Sequence, residues 1–338
     1  MNRKIVSLAL AGSMVLSSMS TALAANTSDF KDIPKDWSKN AIEAAIQNGL
    51  LNGSNGQINA SGTLTRAQMA AIVSRVFGAV EQADLSRFVD ITPNDWYYAD
   101  MAKAVAMGVF QGSGDRLNPE APITRQEAFA VLSRAFLLNG GAADSLSKFS
   151  DDELVAAWAR ETVAAMVSEG YVNGSNGKLN PTGTITRAEF AQIMYNMVKH
   201  YDSIDKTVEG NVVLRSDKQL AAGTVIKGDL IIGDGVTLSD IKLDGVTVEG
   251  RIVMRGGKTV SLSNGAKAAG IVAAKDSAAV KVESGASVAE ITVKADNVSI
   301  SGAGTVEKVT AGKDSTGTKV TTPNTQITAE AGAGAVAT

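Results

Sequence analysis

Three tryptophans, Trp37, Trp96 and Trp158, each stand 12 residues before a glycine (Gly49, Gly108, Gly170) and 29 before an arginine (Arg66, Arg125, Arg187). No insertion or deletion falls between Trp and Arg in any copy. Around them recur an opening Phe-x-Asp (Phe30/Asp32, Phe88/Asp90, Phe149/Asp151) and a Gly-Ser pair (Gly53-Ser54, Gly112-Ser113, Gly174-Ser175). An Asn also recurs (Asn59, Asn118, Asn180) and leads into Thr-Arg. Chance does not hold spacing this tightly. The chain must fold as three copies of one unit, over 28–82, 86–143 and 147–201, each burying its apolar face on its neighbours.

Within a unit the pattern reads helix, loop, helix. In the first copy Ala41, Ile42, Ala45 and Ile46 form an apolar stripe between about Trp37 and Asn48. Gly49 suits the left-handed position that ends a helix. The second helix opens at Thr65-Arg66-Ala67-Gln68, Thr124-Arg125-Gln126-Glu127 and Thr186-Arg187-Ala188-Glu189. Each is a capping box, in which Thr caps the N3 amide and Glu or Gln reaches back. Capping alone accounts for the Thr and the Glu or Gln.

It does not account for the Arg. At the first helical position the helix dipole disfavours a cation by ~0.3–1 kcal/mol, so an arginine there in all three copies suggests a compensating anion. One candidate is a ligand carboxylate, which suits the planar guanidinium fork. The other is an internal salt bridge to Asp32, Asp90 or Asp151. The tryptophans pose a similar choice, between core packing and a platform for a ligand. The Gly-Ser pairs are either plain turns or places where a ligand meets the backbone and a Ser hydroxyl. Threefold use favours a ligand, because weak sites on one chain combine through effective concentration.

On these residues the region from about Phe30 to Tyr201 resembles the S-layer homology (SLH) domain in its usual set of three. The resemblance implies an all-α, pseudo-threefold helical bundle with ligand grooves between units. It implies a secondary cell-wall polysaccharide, linked to peptidoglycan and carrying ketal-linked pyruvate, as the ligand. The site residues it implies are Arg66, Arg125, Arg187, Trp37, Trp96 and Trp158, with Gly53, Ser54, Gly112, Ser113, Gly174 and Ser175 lining the grooves. The copies depart from the pattern in places. Gln68 replaces the usual Glu, Ala60 stands where the others have Pro119 and Pro181, and Ala157 where they have Asp36 and Asp95. These departures put equal use of the three grooves in question.

All 16 aromatic residues lie at or before Tyr201, and none follows. Beyond a linker at 202–210, residues 211–327 carry short apolar triplets such as Leu230–Ile232, Ile241–Leu243, Ile252–Met254, Val260–Leu262 and Ile291–Val293, punctuated by Gly, Asp, Asn or Ser. Short strands with a turn every few residues predict a parallel β-solenoid, with a β-sandwich as the alternative. The stretch from Gly228 to Gly250 resembles a β-helical module that accompanies SLH repeats in Gram-positive surface proteins. Solenoids can host glycan-cleaving carboxylates. Here Asp234, Asp240, Asp244 and Glu249 fall mainly at turns, and no aromatic side chain is available to stack on a sugar. The tail, 328–338, is rich in Ala and Gly and is expected to be disordered.

The start of the chain reads as a secretory signal peptide over 1–24: Arg3 and Lys4, an apolar run from Ile5 to Leu16, then Ala22-Leu23-Ala24. The alternative is an uncleaved anchor, for which the apolar run is short. No later segment reaches the ~20 apolar residues of a membrane span. With no Cys and one His, thiol chemistry, a His-rich metal site and a Ser-His triad all lack their residues. A net charge of −3 does not suit a polybasic nucleic-acid binder. The expectation is a non-enzymatic protein, without cofactor, exported to the cell wall or S-layer of a Gram-positive bacterium. Its partners would be the wall polysaccharide and other surface-layer proteins. The alternative is a wall-anchored carbohydrate-active enzyme or adhesin acting through the β region.

Overall fold

A computed structural model describes residues 25–202 and 204–338; the expected signal peptide lies outside the described residues. Each repeat contributes two helices: α1 (Lys39–Gln47) and α2 (Arg66–Phe77), α3 (Tyr98–Ala106) and α4 (Arg125–Ala135), α5 (Arg160–Ser168) and α6 (Arg187–Met197). The capping boxes form as the sequence dictates. Thr65, Thr124 and Thr186 accept from the N3 amides, and the side chains of Gln68, Glu127 and Glu189 return to the N-cap amides.

Every second helix packs on the first helix of the next repeat: α2 on α3, α4 on α5, α6 on α1. The third contact closes the ring. At its centre the residues preceding the caps bond in a cycle. Leu64 N donates to Ile185 O (3.0 Å), Ile123 N to Leu64 O (2.9 Å), and Ile185 N to Ile123 O (3.1 Å). All three side chains are fully buried, so the pseudo-threefold axis is dry and its backbone groups are satisfied by one another.

From His200 onward the chain winds into a parallel β-solenoid of about six turns. One long sheet stacks Val212–Leu214, Leu230–Ile232, Thr247–Met254, Lys267–Ala273, Ser287–Val293, Thr305–Ala311 and Gln326–Ala329. A second stacks Ile241–Asp244, Thr259–Ser263, Ala279–Val282, Ser299–Ser301 and Lys319–Val320. Val260, Val280, Ile300 and Val320 lie side by side, one coil of 20 residues apart. The apolar interior is built of Val, Ile, Leu, Ala and Met, because aliphatic side chains of this size fill a narrow tube that a ring would overfill.

Two expectations need correction. His200–Tyr201 pairs with Val212–Val213, and Thr207–Val208 with Val225–Ile226, so the stretch read as a linker belongs to the first coil. The tail is not disordered either. Val320 N donates to Ala337 O and Ala337 N to Thr318 O, which folds the last residues back against the final coil.

The two halves share a core. In the long sheet the middle residue of each triplet points outward, and Val213, Ile231 and Val253 there are buried in the helical cluster. Three arginines surround this column, each held by its own carboxylate while donating to a carbonyl of the bundle. Arg215 pairs with Asp202 (2.9 Å) and reaches Asn48 O (2.8 Å). Arg251 pairs with Asp229 (2.6 Å) and reaches Leu137 O (2.7 Å). Arg255 pairs with Asp234 (2.8 Å), reaches Met107 O (3.0 Å) and lies over the Phe77 ring. Asn48 and Met107 end α1 and α3, where a cation meets the negative end of the helix dipole. Gly78 sits at the junction with φ 62°, and a side chain there would collide with the Arg215 carbonyl.

Candidate functional site: three composite grooves

The Phe-x-Asp carboxylates act on the backbone. Asp32 accepts from Ile58 N (2.7 Å) and Asn59 N (2.9 Å), Asp90 from Leu117 N (3.0 Å) and Asn118 N (2.7 Å), and Asp151 from Leu179 N and Asn180 N (both 2.8 Å). Burial pushes Asp151 and Asp32 up, yet these amide donors outweigh it and hold both carboxyls below the ordinary value. Each pair of bonds pins a loop whose next carbonyl receives an arginine from the preceding repeat. Arg66 Nε donates to Leu117 O (2.8 Å), Arg125 Nε to Leu179 O (2.8 Å), and Arg187 Nε to Ile58 O (2.7 Å).

The internal salt bridge anticipated for the arginines therefore exists, but not to Asp32, Asp90 or Asp151, whose oxygens are committed to amides. Arg66 Nη1 meets Glu127 (2.8 Å) and Arg125 Nη1 meets Glu189 (2.7 Å), each the capping-box glutamate of the following repeat. Each glutamate uses Oε2 for the cap and Oε1 for the arginine. Capping is thus half of its work. The third junction differs: Gln68 stands where the glutamate would be, and Arg187 keeps only its carbonyl partners, its Nη2 donating to Asn52 O (2.9 Å) as Arg66 Nη2 does to Gln111 O (3.3 Å).

Trp37, Trp96 and Trp158 are 61, 66 and 54% exposed, so none is core packing. Trp37 and Trp158 complete two clefts assembled from all three repeats. One cleft takes Arg66 from repeat 1, the 109–113 loop and Glu127 from repeat 2, and Trp158 from repeat 3. Another takes Arg125 from repeat 2, the 171–175 loop and Glu189 from repeat 3, and Trp37 from repeat 1. A third joins Arg187 to the 52–59 loop and Gln68 of repeat 1; the repeat symmetry assigns it Trp96. The volumes are similar, about 540, 460 and 480 Å³.

The Gly-Ser pairs line these clefts at the turn of a two-residue ribbon: Ser54 pairs with Gln57, Ser113 with Arg116, Ser175 with Lys178. Packing by itself requires glycine at these positions. A side chain on Gly53, Gly112 or Gly174 would strike the ring of Phe30, Phe88 or Phe149 and a ribbon carbonyl. The serines, by contrast, are exposed on the cleft side. The sequence reading missed Arg134, a partly buried side chain in the first cleft whose pKa burial lowers. Its counterpart in repeat 1 is Arg75 and in repeat 3 Asn196, each nine residues beyond the groove arginine. Among the described residues no group of three or more His, Asp or Glu side chains is arranged to hold a metal ion.

The S-layer homology domain matches residues 29–70, 87–129 and 148–191. The chain carries three SLH domains. It is similar to the surface-layer 125 kDa protein of Lysinibacillus sphaericus, 33% identical over 57% of this chain and 16% of that protein. An S-layer protein of Bacillus thuringiensis subsp. finitimus is 26% identical over 95% of this chain and 40% of its own length. Exoglucanase XynX of Acetivibrio thermocellus is 28% identical over 57% of the chain and 18% of that protein. The chain thus spans well under half the length of these relatives. Among the described residues no helix is long and apolar enough to cross a membrane.

Proposed function

We propose that the three SLH domains anchor an exported protein noncovalently to the wall of a Gram-positive bacterium, by holding an anionic secondary wall polysaccharide that carries ketal-linked pyruvate. The observation behind this reading is the pairing of a partly buried guanidinium with a largely exposed indole in one cleft: Arg66 with Trp158, Arg125 with Trp37. A sugar offers an apolar face to an indole, and a pyruvyl ketal offers a carboxylate to a guanidinium. Three such clefts on one rigid bundle let weak sites act together. The solenoid serves as a structural or interaction module of the surface layer, in contact with other surface-layer proteins. Relatives similar across 95% of the chain are named S-layer proteins, which favours this over a wall-bound enzyme.

Replacing the groove arginines is a poor first test, because each also holds the loop of the next repeat. Trp37, Trp96 and Trp158 can be changed together to Ala at little cost to the core. Binding to wall sacculi should then fall by about a hundredfold, since stacking contributions of about 1 kcal/mol at each site multiply. Undiminished binding by a folded triple variant would overturn the assignment of the clefts.

A further inference from the structure

The three clefts are built on one repeated frame and are similar in volume, but they differ in charge. In two of them the groove arginine already has an anion: Glu127 Oε1 on Arg66 Nη1, Glu189 Oε1 on Arg125 Nη1. In the third, Gln68 Oε1 accepts from Thr65 N, which leaves its amide nitrogen as a donor beside the arginine. Arg187 spends Nε and Nη2 on carbonyls, and among the described residues no carboxylate lies within salt-bridge distance of it. Asp32 is near, but both of its oxygens are taken by amides. Burial depresses Arg187; the Asp32 carboxylate opposes that, and the Arg75 guanidinium adds to it by a smaller amount. Two donors therefore converge where the other clefts hold a carboxylate oxygen of the protein.

We infer that the cleft of Arg187 and Gln68 is the primary carboxylate site, and that Glu127 and Glu189 act in the other two as built-in competitors of an acidic ligand. This rests on the proposed anchoring function and adds a rank to it. The remaining charges refine the order. The Arg66 cleft keeps Arg134 as an additional cation, whereas the Arg125 cleft has Asn196 at that place, with Lys178 near its rim. The expected sequence of filling is the Arg187 cleft, then the Arg66 cleft, then the Arg125 cleft. Charge is the difference on which that order rests.

The repeat symmetry gives each cleft its own indole, Trp96 for the Arg187 cleft, so the full chain labelled with 15N at tryptophan reports them separately by NMR. The probe is a methyl hexosaminide bearing a 4,6-pyruvyl ketal, with the uncharged 4,6-ethylidene analogue as control. The Trp96 indole should respond at the lowest concentration to the pyruvyl compound and lose that lead with the analogue. Gln68→Glu, which installs the residue the other repeats already use, should weaken the Trp96 response about tenfold, the value of one charge-assisted hydrogen bond. Trp37 and Trp158 should be unaffected. Equal responses from all three indoles, or a Trp96 response indifferent to Gln68→Glu, would overturn the ranking and leave the anchoring reading standing. No response from any indole would overturn both.

Discussion

The helical and β halves are both built by repetition, but one repetition closes and the other does not. In the bundle, repeat 1 hands Arg66 to repeat 2, repeat 2 hands Arg125 to repeat 3, and repeat 3 returns Arg187 to repeat 1. Each cleft draws on more than one repeat, and two of them draw on all three. In the solenoid a coil meets only the coil before and after it, and a change stays local. Closure makes sites that no single repeat contains, while open stacking makes a surface of adjustable length. The outward column of the long sheet shows where the two meet. It reads Val213, Ile231, Val253 and Val272 nearest the bundle, then Thr292, Thr310 and Thr328 beyond it.

That boundary can be broken deliberately. Ile231→Asp places a charge in the shared core and should cost about 4 kcal/mol, with one calorimetric transition separating into two as the halves lose their contact. Thr292→Asp, on the same column past the bundle, should cost under about 1 kcal/mol. Leu64→Ala, at the closed centre, should destabilise by about 3 kcal/mol in urea unfolding and perturb all three clefts. Val280→Ala, in the open stack, should leave the clefts intact at a smaller cost, about 2 kcal/mol.

Acid should loosen the loops of the bundle. Asp32 and Asp151 are held below the ordinary carboxylate value, so their contribution is complete above a pH of about 4 and is lost as the pH falls through their lower folded values. Asp151→Ala should remove about 2 kcal/mol at neutral pH, through two charge-assisted bonds. It should also flatten the acid limb of the stability curve. The smallest effect is expected of Thr124→Ala, about 1 kcal/mol from one lost cap.

Much of this was legible in the sequence because it is local. Capping boxes, the glycine after each first helix and the short β triplets are all set by residues within a few positions of one another. What escaped is what the ring creates. Nothing within one repeat says that Glu127 will meet Arg66, and the aspartates nearer in the pattern look like its partners instead. The role of Gly53, Gly112 and Gly174 was hidden for the same reason, since the Phe rings they accommodate lie over 20 residues away. The docking of the two halves did leave a trace. Val212-Val213-Leu214, Leu230-Ile231-Ile232 and Ile252-Val253-Met254 are apolar without a break, whereas Ile291-Thr292-Val293 alternates. A strand apolar at every position is a strand covered on both faces.

The central claim is that the SLH ring holds the secondary polymer of the wall and not peptidoglycan itself. Its most direct measurement is sedimentation of the full chain with two sacculi preparations from one culture, one retaining its secondary polysaccharide and one chemically stripped of it. The chain should co-sediment with the first, release as salt rises because carboxylate–guanidinium pairs are screened, and stay in solution with the second. Equal binding to the stripped sacculi would contradict the account.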